Sequence, residues 1–364
     1  MNTVGRVFGS EYIEWAKTQS HARFNLATSG VAPYPLSGLA VKLEDLEISG
    51  PSYYGYEPLQ QALAAKCGVP AECVVAANGT QMANHLAMAA VLQPGDEVLI
   101  ENPTYESLVS AARYLGGQVR FFDRRFQDGF AIDPREIARK ITPRTRLIVI
   151  TNLHNPTGAF TDEATLRLIR EIARDMKSYV LVDEVYLDGA FELAPKTSFH
   201  LGEEFIATSS LTKIYGLSGL RCGWIVARPD LAKKMWLLND LFGAIPAHTA
   251  ELLSVVALRS LNKLAARSNT LLEVNRRQLS TMLGPSEGLD FTVPKMGTVV
   301  FPRLRKGSVE ELCHLLRNKY ETSVVPGRFF GAPEHFRVGI GGDTALLQGG
   351  LARLTRAVSE IAAN

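Results

Sequence analysis

The chain has 364 residues, more than one hydrophobic core usually serves, so a large domain with a smaller companion is expected. Apolar residues make up 46% and charged residues 21%, a balance that supports a buried core and excludes a disordered chain. The net charge of +2 is spread over interspersed Lys, Arg, Asp and Glu without a basic stripe, so nucleic acid is not an expected partner.

Arg6, Glu11, Glu14, Lys17 and Arg23 interrupt the first 24 residues, and no secretory signal is expected there. From residue 73 to about 227, short β-branched runs alternate with helix-like segments, the pattern of a mainly parallel sheet wrapped by helices. Strands are expected at 74–76, 97–100, 118–122, 147–151, 179–182, 205–208 and 223–227. The longest apolar runs, such as 147–150, are too short to span a bilayer, so no membrane partner is expected. Beyond Pro246 a long helical periodicity runs to about residue 284, followed by a strand-like 299–301 and further alternation, read as a linking helix into a second domain. Cys67, Cys73, Cys222 and Cys313 show neither zinc spacing nor disulfide density, which fits a reducing, cytoplasmic setting. The seven histidines form no H-E-x-x-H, so no metal site is expected.

Open α/β sheets bind ligands beyond the carboxyl ends of their strands, where four segments concentrate polar groups. In A-N-G-T-Q-M-A-N-H-L, 77–86, a strand end, a glycine turn and a helix start place Gly79, Thr80 and Gln81 at a helix terminus that favours phosphate. An ordinary helix cap would leave the same trace, and the absence of G-K-[ST] disfavours a nucleotide loop. In T-N-L-H-N-P-T-G, 151–158, a turn accounts for Pro156 and Gly158, while Asn155 before proline is biased to an extended backbone that can project its amide. In Y-V-L-V-D-E-V-Y, 179–186, Asp183 directly follows a continuous apolar strand. A carboxylate there is costly unless paired; a protonated ring nitrogen would pair it, and a structural salt bridge would too. Glu184 is the weaker candidate. In S-S-L-T-K-I-Y-G-L-S-G-L-R-C-G-W, 209–224, Lys213 leaves a strand into a shaped loop, where desolvation lowers an amine's pKa and suits it to Schiff-base chemistry. Ser210 and Arg221 offer a hydroxyl and a fork of donors for one phosphate.

Together and in this order, the segments resemble the class I/II aminotransferase family of pyridoxal-phosphate enzymes, over nearly the whole chain. The resemblance rests on N-P-T-G at 155–158, the aspartate and tyrosine of D-E-V-Y, and the S-L-T-K loop with its later arginine. It implies fold type I: a large α/β domain with a mainly parallel seven-stranded sheet sandwiched by helices, plus a smaller α+β domain. The expected division is an N-terminal arm, 1–35, contributing to the small domain, a large cofactor-binding domain, 36–250, and a linking helix with the small C-terminal domain, 251–364.

The resemblance also implies pyridoxal 5′-phosphate as cofactor, with Lys213 as its Schiff-base lysine, Asp183 as partner of the pyridine nitrogen, and Asn155 and Tyr186 as partners of the phenolic oxygen. Ser210, Arg221, Gly79, Thr80 and Gln81 are implied at the phosphate, and Tyr105, in E-N-P-T-Y, against the ring. F-R-V-G-I at 336–340 makes Arg337 the expected anchor of the substrate carboxylate. N-L-A-T-S-G-V at 25–31 is similar to the segment that folds over substrate, with Gly30 near it. G-P-S-Y-Y-G-Y at 50–56 is similar to the stretch that reaches the neighbouring subunit's phosphate through Tyr53 or Tyr54, which implies a homodimer with shared sites.

The family mechanism implies ping-pong transamination between an amino acid and a 2-oxo acid, with Lys213 as catalytic base. The same equipment serves elimination or replacement, so a lyase or cyclase is the rival reading, to which His154 in N-L-H-N-P contributes. A cofactor-binding regulator is the remote alternative, and it would need a DNA-binding domain for which motifs running from about residue 50 to the end leave no room.

Overall fold

The computed structural model describes residues 7–284 and 286–363. After α1 (Glu11–Thr18) and the short β1 (Phe24–Asn25), α2 (Glu57–Cys67) leads into the large domain. There β2 (Val74–Asn78), α3 (Gly79–Val91), β3 (Glu97–Asn102), α4 (Glu106–Tyr114), β4 (Gln118–Asp123), α5 (Pro134–Lys140) and β5 (Thr145–Thr151) follow in turn. Next come α6 (Glu163–Asp175), β6 (Tyr179–Asp183), β7 (Phe205–Ser210), β8 (Cys222–Val226) and α7 (Pro229–Asn239). All seven expected strands are present in one seven-stranded sheet, ordered β2-β8-β7-β6-β5-β3-β4. Only β8 runs antiparallel to its neighbours.

Two faces of this sheet are covered, which explains why β5 and β6 read as continuous apolar runs. Side chains alternate along a strand, so Leu147, Val149 and Leu181 join the core that contains Leu86 and Met88 of α3. Their neighbours Ile148, Ile150, Val180 and Val182 turn the other way, onto Ile137 of α5 and Ile169 of α6. On α6 the buried Leu166, Ile169 and Ala173 form one stripe, and Asp162 caps the helix by accepting from Thr165 N at 2.8 Å. Edge strand β4 is mostly part-exposed, as a strand with one free side can be.

The long periodicity beyond Pro246 forms two helices rather than one, α8 (His248–Arg259) and α9 (Leu261–Leu283). Ser260 leaves helical geometry (φ −109°, ψ 12°), which lets α8 stay on α2 of the large domain while α9 runs with α11. The remaining elements are β9 (Leu289–Asp290), β10 (Val299–Val300), β11 (Arg303–Leu304), α10 (Val309–Tyr320), β12 (Thr322–Ser323), β13 (Val325–Pro326), β14 (Phe336–Gly339) and α11 (Thr344–Ala363). The sheet β10-β14-β13 and the buried faces of α9, α10 and α11 enclose a second core around Leu272, Leu312, Phe336 and Leu351. No described helix is long and apolar enough to cross a membrane.

The N-terminal chain is tied to this smaller domain. β1 pairs in parallel with β12, and Gly339 N donates to Leu26 O at 2.7 Å. Gly339 has no room for a side chain, because a Cβ would overlap the Thr28 carbonyl. Gly339→Ala should therefore destabilise the protein by about 1–3 kcal/mol through overpacking. Gly342→Ala, with open space around its Cβ, serves as the control. Urea unfolding should show a lowered midpoint for the first alone, and equal midpoints would contradict this tight packing.

Candidate active site

Strands β5, β6 and β7 all end at one cavity of about 640 Å³, lined by Thr151, Asn155, Asp183, Tyr186, Ser210 and Lys213 among others. Asp183 is buried at the end of β6. Its carboxylate accepts from Asn84 Nδ2 at 2.8 Å and from Val185 N at 3.1 Å, and Asn84 is itself oriented by the Thr208 hydroxyl at 2.6 Å. Burial raises its pKa to about 6, against which these two donors act. Lys213 lies in the loop after β7, and its Nζ is 3.0 Å from Ser29 Oγ. Burial lowers the pKa of this amine, and the nearby Arg337 and Arg221 lower it further against Tyr12 and Asp183. The amine thus holds its proton less tightly than a free lysine, as suits a nucleophile.

One end of the cavity is shaped for an anion. Gly79 opens α3 at φ +76°, and a Cβ there would overlap Arg221 Nη2. Its N–H donates to Arg221 O at 2.7 Å, which locks the two segments together. The next amides of α3 have no carbonyl one turn back, and the Thr80 hydroxyl is buried without a protein partner. Thr80, Gln81, Ser210 and Arg221 all line this end. A free helix terminus, an orphaned hydroxyl, a second hydroxyl and a guanidinium make a donor set that fits a phosphate dianion.

At the other end, Asn155 Oδ1 accepts from Arg337 Nη1 at 2.9 Å. Arg337 is fully buried on β14 and donates through Nη2 to Tyr12 OH at 2.8 Å and Ala27 O at 3.1 Å, leaving Nε without a partner. Tyr105 lines the cavity, its ring edge-on to Tyr12 with centroids 5.5 Å apart. The Asn155 backbone is set from below: its N–H donates to Thr151 Oγ1, which donates to Glu101 Oε1 at 2.6 Å. Glu101 in turn meets Arg124 at 2.7 Å in a fully buried ion pair.

Not every expected residue lines the cavity: Gly79 and Arg337 sit behind its wall, Arg337 reaching it through its bonds to Asn155 and Tyr12. Gly30 packs behind the cavity, against the Lys213 backbone. Tyr53 and Tyr54 stand exposed on the surface, Tyr54 donating to Asp240 at 3.0 Å. Glu184 points away and accepts from Ser198 N at 2.7 Å. His154 is a core residue between Thr157 and the Pro103 carbonyl, held neutral by burial and then by Arg124, and it has no access to the cavity. The lyase reading therefore draws nothing from it. Residues not anticipated are Asn84, Ser29, and Ser10, Tyr12, Ile13 and Lys17 of α1 and its cap. Asn84 lay within a quoted segment, one turn beyond Thr80, where an amide on the buried face of an otherwise apolar helix is the available signal.

The family model described as "Aminotransferase class I and II" matches residues 46–354. The chain belongs to the class I and II aminotransferase family. Its cofactor is pyridoxal 5′-phosphate, and the donor set just described fits that group. The chain is 31% identical to capreomycidine synthase of Streptomyces vinaceus over 349 residues, covering 92% of this chain and 89% of the relative. It is 30% identical to aspartate aminotransferase of Pyrococcus horikoshii, covering 72% and 69%. Among solved structures, a PLP-dependent aminotransferase from Streptococcus suis superposes with a TM-score of 0.91 at 25% identity, covering 98% of both chains. A PLP-dependent cyclase, OrfR, superposes with 0.87 at 26% identity, again covering 98% of both.

The raised pKa of Asp183 has a consequence for the cofactor-free protein. The folded state holds this proton more tightly than the unfolded chain, so the stability it confers is complete below about pH 4 and is lost as pH rises through about 6. The loss amounts to at most about 3 kcal/mol. Urea midpoints at pH 4.5 and 7.5 should therefore differ less in Asp183→Asn than in the parent, and an identical pH dependence would contradict this.

Proposed function

We propose that the chain is an amino-acid aminotransferase that moves an amino group between an L-amino acid and a 2-oxo acid by a ping-pong mechanism. The observation that carries this reading is the placement of Lys213: an amine in one cavity with a buried carboxylate and an anion cradle, where burial lowers its pKa. The cofactor, when bound, supplies an aldehyde that exchanges amines and a pyridine ring that takes up the electron pair released at Cα.

In this reading Thr80, Gln81, Ser210 and Arg221 hold the phosphate, with Gly79 leaving the space that Arg221 occupies. Asp183 keeps the ring nitrogen protonated, since a cation beside it relieves the cost of its burial. Asn155 and Tyr186 would hold the phenolic oxygen, and Tyr105 would pack on the ring. Lys213 would hold the cofactor in the resting enzyme and, once released, would serve as the base that takes the Cα proton and returns it one atom away in the transamination direction. Arg337 receives the substrate carboxylate, which takes over donors now directed at Tyr12.

A homodimer fits this assignment. Leu43, Ile48, Tyr53, Tyr54, Leu241 and Phe242 are all exposed, and a second copy covering them would bring Tyr53 or Tyr54 to the neighbouring phosphate. The free cysteines suit a reducing, cytoplasmic setting.

The cyclase reading has its own support in the likeness to capreomycidine synthase and to OrfR. The two readings separate on the fate of the cofactor. With a panel of amino acids, transamination converts the coloured cofactor to pyridoxamine phosphate and releases a 2-oxo acid. Cyclisation returns the cofactor unchanged and leaves an amino acid as product. Lys213→Ala should abolish either. Arg337→Lys should raise KM for the donor at least about tenfold, because a bidentate fork becomes a point charge. Turnover without pyridoxamine phosphate across the panel would overturn the aminotransferase proposal.

A further inference from the structure

Ser29 belongs to none of the four cavity segments, yet the fold fixes it firmly. On one side its carbonyl accepts from Thr298 Oγ1 at 2.7 Å. On the other, Val31 N donates to Lys213 O at 2.8 Å, and Gly30 lies so close to Lys213 that a Cβ would be 3.3 Å from that carbonyl. The strap from 26 to 32 is thus held between the small-domain sheet and the Lys213 loop, with Ser29 buried and facing the cavity.

Its hydroxyl is where two reactive groups meet. Tyr186 OH donates to Ser29 Oγ at 2.7 Å, and Lys213 Nζ is 3.0 Å from the same atom. A hydroxyl has one proton and two lone pairs. Burial raises the pKa of Tyr186, so the phenol keeps its proton and remains a donor. Lys213 changes state: as an ammonium it donates to Ser29, and as a neutral amine it offers a lone pair that the Ser29 proton can reach. The three groups therefore form a connected chain in both protonation states of the lysine.

We propose that Ser29 is a positioning residue of the active site, linking Tyr186 to Lys213 and holding the free lysine amine in place in both of its protonation states. When the Cα–H bond breaks and the new N–H bond forms on Lys213, the lysine lone pair is consumed. The Ser29 proton then turns away, and its oxygen accepts from the ammonium; when the lysine gives the proton up, the serine turns back. No proton is gained or lost in the serine itself. This inference rests on Lys213 being the cofactor-bearing base.

The test uses the holoenzyme with Ser29→Ala, Tyr186→Phe and the double variant. Two quantities are measured: the pH midpoint of the bound cofactor's visible absorption, and kcat and KM with the donor found in the panel. Ser29→Ala should move the midpoint down by about one pH unit, because an acceptor for the protonated nitrogen is lost. It should lower kcat about tenfold or more with KM within about twofold. The double variant should move the midpoint no further than the larger single change, as expected for residues acting as a unit. A parental midpoint and kcat in Ser29→Ala, or shifts that simply add, would overturn the proposal. If Ser29→Ala does not bind cofactor, Ser29→Cys, which replaces the hydroxyl with a weak donor, carries the same test. Lys213→Ala separates the two claims: if it keeps the parental visible absorption, the assignment of Lys213 fails. If absorption depends on Lys213 while Ser29→Ala is unmoved, only the role of Ser29 fails.

Discussion

A buried carboxylate at the end of an apolar central strand is the constraint around which this site is organised. Asp183 has two neutral donors, Asn84 Nδ2 and Val185 N, and neither supplies the positive charge that would offset the loss of water. Its pKa of about 6 measures that deficit. A cationic ring nitrogen beside it would turn the cost into binding energy, so the same burial that weakens the cofactor-free protein would strengthen the hold on pyridoxal phosphate. The Asn84–Thr208 contact matters because it fixes the carboxylate's direction without neutralising it.

The fold supplies opposite conditions at the cavity's two ends. The anion end is built from main chain that needs no adjustment: a helix terminus opened by Gly79 and clasped to Arg221. The other end is assembled from distant parts of the chain, with Tyr12 from α1, Asn155 after β5 and Arg337 from β14. Beneath it the Glu101–Arg124 pair is dry and exacting, since losing either partner would strand a buried charge under Thr151 and Asn155. The helix terminus at one end is set by local geometry, while its clasp to Arg221 and the whole of the other end depend on tertiary contact. In the proposed assignment, cofactor binding would draw on the first end and substrate selection on the second.

This division explains what could be read from the sequence. The central strands β5 and β6 were legible because covered β-branched runs are distinctive, and the polar residues at their ends came with them; edge strand β4, largely uncovered, was legible from its place in the alternation. Lys213, Asp183, Asn155 and the start of α3 do converge on one cavity. Ser29 and Tyr12 were not singled out, because each owes its place to contacts across at least 157 residues, which no local pattern encodes, while Asn84 left only the faint signal of an amide on a buried helix face. Tyr53 and Tyr54 lie outside this subunit's own cavity, so their expected role depends on a second copy. The break at Ser260 is a change of backbone geometry at one residue, and no Gly or Pro marks it in the sequence.

Borohydride reduction of the holoenzyme, followed by digestion and peptide mass analysis, is the most direct measurement of whether Lys213 bears the cofactor. A single phosphopyridoxyl group on the peptide that contains Lys213, absent after prior incubation with a converting amino acid, is the predicted result. Label on a different lysine, or a coloured protein that takes no label, would contradict the assignment on which the proposed mechanism stands.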